Sequence, residues 1–417
     1  MRSREASTGI ANLPQTTAVI CDGGRFVLKP FQRLEEGSHP AWDIGLLLSE
    51  KRGFPAVAPL AGAIEYRRRA AEPATIAVLH GFVQNEGNAW NLALDTLSDY
   101  LERVAAFGET APLPPADAWP TESPSPEPSD LVKDLLGELL DHMRLLGQRT
   151  AEMHLAMEGA KDQLDFVPEG FSARYQRSIY QSMRTLKIEV FDSLRRQLPK
   201  LPEDAQQQAQ EVLRHDTEII RRFRLLVDQR FASARIRCHG DLHLAQVLFT
   251  GKDFVFLDFE GPSPSSLSER RTKRSPLRDV ATMLRSFHYV AQTALFGQGA
   301  ATPQAVVRPE DLGRLQPWSR FWCAWVGAEY LKSYFATAGQ ASFIPPNAQE
   351  MKTLFDAFVL ERALIELAYE LRHRPAWTRV PLTGILDILN VSLPEPVTQS
   401  SPITPSGVVQ SPTAAAT

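Results

Sequence analysis

The stretch from Cys238 to Gly261 constrains this chain more than any other. It reads Cys238-His-Gly-Asp-Leu-His-Leu-Ala-Gln-Val-Leu-Phe249, then Phe254-Val-Phe-Leu-Asp-Phe-Glu-Gly261. An acid, Asp241, is followed by an amide, Gln246, and then by a second acid, Asp258. Phosphoryl transfer from ATP needs that inventory. One carboxylate orients the attacking hydroxyl and accepts its proton, while an amide oxygen and another carboxylate hold Mg2+ against the phosphates. The apolar runs Val247-Leu-Phe249 and Phe254-Val-Phe-Leu257, joined through Thr250-Gly-Lys-Asp253, predict a short hairpin flanked by two catalytic corners.

Zinc is the competing chemistry for Cys238, His239 and His243. These residues lack the His-Glu-x-x-His spacing of a helical zinc site, and Cys21 and Cys323 stand alone in sequence, so no second ligand pair completes four. His239 is expected to pack behind the loop and hydrogen-bond its backbone. With 417 residues the chain has room for two or three lobes, and its net charge of −4 leaves no electrostatic footprint for nucleic acid. Three unspaced cysteines fit a reducing compartment. The N-terminus lacks the apolar core of a signal peptide, and no run approaches the ~18 apolar residues of a membrane helix. A soluble cytoplasmic protein is expected.

Upstream, Thr17-Ala-Val-Ile-Cys21 and Arg25-Phe-Val-Leu-Lys-Pro-Phe31 flank Asp22-Gly-Gly24, a hairpin signal that puts Lys29 in the second strand. A kinase carries its phosphate-pairing lysine there, and Asp43 or Glu50 on the following short helix (residues 40–51) is placed to pair with it. The apolar strand Thr75-Ile-Ala-Val-Leu79 leads into His80-Gly-Phe-Val83, a passage between lobes where Leu79, Gly81 and Val83 are candidates to meet adenine. Residues 111–129 are a proline-rich loop. Beyond them Leu135, Leu139, Met143, Leu146, Thr150 and Met153 form one helical stripe. On that helix His142 and His154 are expected to be structural. Two long helical stretches are predicted across 173–229, broken at 198–202, with further helices near 277–293, 317–337 and 348–373. Pro394 to Thr417 reads as a disordered tail. The fold class is therefore α+β and kinase-like: a β-rich N-lobe (1–83) and a large helical C-lobe (84–393), with Asp-Phe-Glu at the metal corner and no Ala-Pro-Glu element.

Several segments together resemble the maltokinases, aminoglycoside-phosphotransferase-like kinases often fused behind trehalose synthase. They are His239-Gly-Asp-Leu-His-Leu-Ala-Gln-Val-Leu248, Leu257-Asp-Phe-Glu-Gly261, Ser275-Pro-Leu-Arg-Asp-Val-Ala-Thr-Met-Leu-Arg-Ser-Phe287 and Arg372-His-Arg-Pro-Ala-Trp377. The resemblance spans about residues 15–390. It implies transfer of phosphate from Mg2+-bound ATP to maltose at the anomeric hydroxyl. It also implies Asp241 as base, Gln246 and Asp258 as magnesium ligands, Lys29 and Asp43 at the nucleotide, and Asp279 as a buried support of the catalytic loop. His243, Glu260, Arg285, His288, Glu361, Glu366, Tyr369 and Glu370 are implied around the sugar, with maltose or a related glycoside as ligand and trehalose synthase as a possible partner.

Three positions depart from that pattern. The family helix Glu-Lys-Ala-Leu-Tyr-Glu-Leu-Arg-Tyr-Glu reads here Glu361-Arg-Ala-Leu-Ile-Glu-Leu-Ala-Tyr-Glu370, so Ile365 and Ala368 replace a Tyr and an Arg. His288 stands where relatives carry Asp. These changes remove hydrogen-bonding groups, each worth about 0.5–1.5 kcal/mol net, which points to a related sugar kinase with another acceptor as the alternative to maltose. A non-catalytic module that partners trehalose synthase is the third reading. Family members also carry a cap before the first hairpin. Here Leu13-Pro-Gln-Thr-Thr-Ala18 alone corresponds to the phosphate-covering segment, so a truncated N-lobe is expected.

Overall fold

The structure, a computed structural model, describes residues 9–13, 16–69, 71–107, 111, 127–160, 162–262, 265–296 and 307–390. The expected disordered tail, most of the proline-rich loop, and Pro14 and Gln15 of the phosphate-covering segment lie outside them.

The N-terminal sheet is antiparallel, with strands β1 (Gly9–Leu13), β2 (Thr16–Cys21), β3 (Phe26–Pro30), β4 (Leu60–Tyr66) and β5 (Ala74–Gly81) in the order β1-β2-β3-β5-β4. The predicted hairpin is β2–β3, turning through Asp22 and Gly23, both at positive φ. β1 and β4 are additional to the strands read from the sequence. Helix α1 (Pro40–Gly45) follows β3 and runs into a π-turn at Leu46–Lys51.

Helices dominate the rest. They are α2 (Ala89–Phe107), α3 (Asp130–Glu158), α4 (Ala173–Gln197), α5 (Glu203–Arg214), α6 (Asp216–Asp228), α7 (Leu267–Arg270), α8 (Leu277–Phe296), α9 (Leu312–Ala338), α10 (Ala348–His373) and α11 (Arg379–Leu389). A two-residue pair, β6 (Glu169–Gly170) with β7 (Ala234–Arg235), and the catalytic hairpin β8 (Val247–Phe249) with β9 (Phe254–Phe256) are set among them. The second of the two helical stretches predicted before the catalytic hairpin is divided at His215 into α5 and α6. No helix among the described residues is long and apolar enough to cross a membrane.

The α3 stripe predicted from spacing is buried along its length and packs on α9. The two helices approach closely where Gly147 faces the carbonyl of Tyr330. A Cβ at Gly147 would run into that oxygen and stand 3.2 Å from Ser333 Cβ. Gly147→Ala should therefore cost about 1–3 kcal/mol through overpacking, more than the ~0.4–1 kcal/mol that a less flexible unfolded chain returns. A lowered urea midpoint with unchanged slope checks this. Helix α8 is buried nearly all round yet carries Asp279 and Arg285 inward, and both charges serve the site described next.

Candidate active site

The catalytic loop is held by one buried carboxylate. Asp279, in the first turn of α8, accepts the backbone N–H groups of His239 and Gly240, each at 2.9 Å. Its Oδ2 also lies 3.2 Å from His154 Nε2, and His154 Nδ1 lies 3.0 Å from the Tyr334 hydroxyl. His239 links the two corners. Its Nε2 donates to the Leu257 carbonyl at 2.7 Å, while its Nδ1 accepts from the Asp241 N–H at 3.4 Å. Gly240 is at φ +87°, and a Cβ there would lie 3.0 Å from Gly261 Cα, so the two loops can approach only with glycine at this position.

Asp241 meets Arg362 of α10, whose Nη1 donates to Oδ1 at 2.9 Å, and His243 Nε2 lies 3.9 Å from Oδ2. Burial pushes the Asp241 carboxyl up, but the Arg362 guanidinium and His243 outweigh it and hold the group below the usual carboxylate range. His243 is itself pushed down to about 4 by burial, so it is neutral near pH 7. Gln246 ends the single turn after His243, and its backbone carbonyl takes the Leu257 N–H at 2.9 Å. Its half-buried side chain has no hydrogen-bond partner among the described residues. Asp258 adopts the left-handed conformation (φ +61°), which Asp tolerates better than most side chains and which turns its carboxylate sharply out of the strand that precedes it.

Lys29 is 7 % exposed and pairs with Asp258 Oδ1 at 2.7 Å and with Glu260. The expected pair with Asp43 does not form. His39 caps α1, stacked on Phe31 and hydrogen-bonded with Arg270, and Asp43 turns to Ser38, with Arg237 and Arg271 each 3.9 Å away. Glu50, the other candidate for that pair, is exposed. Two of the three expected adenine positions are committed to the sheet. Leu79 pairs with both neighbouring strands, and the Gly81 N–H donates to the Pro59 carbonyl at 2.8 Å. The Val83 carbonyl takes Asn85 Nδ2 at 2.8 Å.

The expected sugar residues divide into groups. Glu366 lies one turn from Arg362 and accepts from it at 3.3 Å, while Arg285 clasps Glu366 through Nε (2.9 Å) and Nη2 (2.8 Å). Arg362, Ile365, Glu366 and Tyr369 share the face of α10 turned to the catalytic loop, by their three- and four-residue spacing. Ile365 and Tyr369 are exposed on it. Glu361 points elsewhere, to Arg278 at 2.8 Å, and Glu370 is buried between the Tyr289 hydroxyl and Arg374. Glu260 is drawn to Lys29 rather than toward α10, and His288 faces Arg285 and Asp387. Arg362 is the site residue absent from the sequence reading. Its importance arises where α10 crosses the loop, 121 positions away along the chain, and no local signal carries that.

The donor set at Gln246 and Asp258 fits a hard cation. Among the described residues no cluster of three or more His, Cys, Asp or Glu side chains could hold a metal. Magnesium in such sites takes only one or two protein oxygens and completes its shell from phosphates and water. The two corners thus bring a buried, ion-paired acid, an unbonded amide and a buried lysine onto segments tied together through His239 and Leu257.

No protein-family model matches the chain. It is 34 % identical over 153 residues to a glucosamine kinase of Mycolicibacterium smegmatis, covering 36 % of this chain and 34 % of that protein. A glucosamine kinase of Streptacidiphilus jiangxiensis is 26 % identical over 160 residues, covering 37 % and 32 %. The matches thus span about a third of the length of these curated relatives. Among solved structures, a glucosamine kinase in complex with glucosamine, ADP and inorganic phosphate superposes with a TM-score of 0.66 at 20 % identity, over 92 % of this chain and 80 % of that one. A second crystal form of a glucosamine kinase gives 0.64 at 20 % identity, over 92 % and 74 %. With its small antiparallel N-lobe and large helical C-lobe, the chain has the aminoglycoside-phosphotransferase and protein-kinase-like fold.

Proposed function

We propose that this protein is an ATP-dependent sugar kinase and that an amino sugar, glucosamine, ranks ahead of maltose as its acceptor. The observation that carries the reading is the bonded link between the two corners: the Asp241 N–H meets His239, His239 donates to the Leu257 carbonyl, the Leu257 N–H meets the Gln246 carbonyl, and Asp258 beside it pairs with Lys29. In this reading the acceptor hydroxyl lies against Asp241 and attacks the γ-phosphorus. A new oxygen–phosphorus bond forms as the bond to the ADP oxygen breaks, and the hydroxyl proton passes to Asp241. Asp258 and Gln246 would hold Mg2+, which supplies neutralisation of phosphate charge. Lys29 supplies a cation for the phosphates, and the His239 bridge keeps base and cation site in register.

The acceptor preference rests on the glucosamine kinases among the relatives and on α10, where Ile365 and Ala368 take away the phenol and guanidinium implied for maltose. Initial rates with glucosamine, N-acetylglucosamine, glucose and maltose decide it. Glucosamine should give the highest kcat/KM, ahead of maltose by about tenfold or more, a gap of ~1.4 kcal/mol. Maltose in first place would return the maltokinase reading and, with it, a trehalose synthase partner.

Acid sensitivity follows from Arg362. Asp241 works as a base only when ionised, and the guanidinium holds its carboxyl low, so kcat/KM should fall only at acid pH below the ordinary carboxylate range. In Arg362→Met the lowering influence is lost and burial remains. The acid limb of the profile should then move to higher pH, and an unmoved limb would exclude Arg362 as the group that sets it.

A further inference from the structure

A second concavity lies among α8, α9, α10 and α11, about 370 Å³ in volume. Lys29, Asp241, Gln246 and Asp258 do not line it, while Arg285, which does, ties it to Asp241 through Glu366 and Arg362. Its size is that of a small-ligand site. Leu284, Phe287, Ala324, Val359 and Ile388 make most of its wall apolar.

The polar part of the wall is uneven in charge. Arg285, Arg320 and Asp387 all line it, giving two cations and one anion. Burial keeps the fourth group, His288, neutral at pH 7 by lowering its pKa. Arg285 is committed, because Glu366 takes its Nε and Nη2, His288 Nδ1 lies 3.2 Å from Nη1, and its guanidinium fills the space a Cβ would need at Gly384. Asp387 sits 3.7 Å from His288 Nε2. Arg320 is exposed and has no carboxylate within 4.0 Å and no hydrogen-bond partner among the described residues. Burial raises the Asp387 carboxyl, but His288, Arg320 and Arg285 hold it low, so the cavity pairs apolar walls with one guanidinium that acts on Asp387 without an ion pair inside 4.0 Å.

We propose that this cavity binds a small organic monocarboxylate, its apolar body between the helices and its carboxylate on Arg320. A guanidinium fork matches a carboxylate in two parallel hydrogen bonds. Asp387 nearby repels a second negative charge, which disfavours a phosphate monoester. Cys323 also lines the cavity, and burial pushes its thiol up to about 12, so it meets the ligand as a neutral apolar surface.

Calorimetric titration of the 417-residue chain with 4-phenylbutyrate, and with 4-phenylbutanol as the uncharged control, tests this directly. It depends on no catalytic activity, so it stands or falls apart from the kinase reading. The acid should bind at least about tenfold more tightly than the alcohol, and Arg320→Gln, a change at an exposed position, should erase that difference. Ala324→Phe, which fills the cavity, should abolish binding of both while the melting transition is retained. Equal affinity for acid and alcohol, undiminished affinity in Arg320→Gln, or no heat from either compound at millimolar concentration would each overturn the proposal. If Ala324→Phe unfolds the chain, the Arg320→Gln comparison alone decides.

Discussion

Asp241→Asn is expected to reduce sugar phosphorylation by roughly 10²–10⁴-fold, the ordinary worth of a general base, while Mg·ATP still binds. The amide keeps the shape of the side chain and can still meet Arg362, so the loop anchored by Asp279 through His239 and Gly240 has no reason to move. What is lost is an acceptor for the hydroxyl proton. His243, 3.9 Å away and neutral, is too far from the carboxylate's position to replace it without a shift of the loop. Pre-steady-state turnover and nucleotide titration on the same preparation separate chemistry from binding. A variant that keeps native turnover would remove Asp241 from the mechanism.

The second large effect is at the cation site. Asp258→Ala should eliminate the magnesium-dependent part of ATP binding, whereas Gln246→Ala should weaken it less, because a carboxylate brings charge to the metal and an amide only a dipole. Asp258 also carries a backbone at φ +61°, and alanine there adds strain of order 1 kcal/mol. Asp258→Asn is therefore the cleaner companion, since asparagine accepts that conformation and removes only the charge. With Asp258 gone, Lys29 keeps a single carboxylate, Glu260. Calorimetry of ATP with and without Mg2+ across the three variants reads the order directly. Equal metal dependence in all of them would displace the cation site from this corner.

The hairpin after Asp241 was legible because its signal is local: β8–β9 forms where the two apolar runs predicted it. The α3 stripe was legible for the same reason, a period that any surface of the core must satisfy. Helix α2 carries a comparable stripe in Ala89, Ala93, Leu97, Tyr100, Leu101 and Val104, but small alanines and a tyrosine dilute it. What sequence could not convey were partners chosen by packing. For Lys29, only the tertiary course of the chain puts Asp258 and Glu260 beside it, leaves Asp43 to Ser38 and leaves Glu50 exposed. The linkage from Arg285 through Glu366 and Arg362 to Asp241 is likewise built from α8, α10 and a loop distant in sequence.

The central claim is that this cleft moves phosphate from ATP to a sugar with Asp241 as base. Phosphorus NMR of the 417-residue chain with Mg·ATP and glucosamine tests it most directly. The account predicts a sugar phosphomonoester signal that grows in step with ADP and is absent over the same interval with Asp241→Asn. Formation of ADP and inorganic phosphate alone, with no sugar phosphate from glucosamine, glucose or maltose, would contradict it.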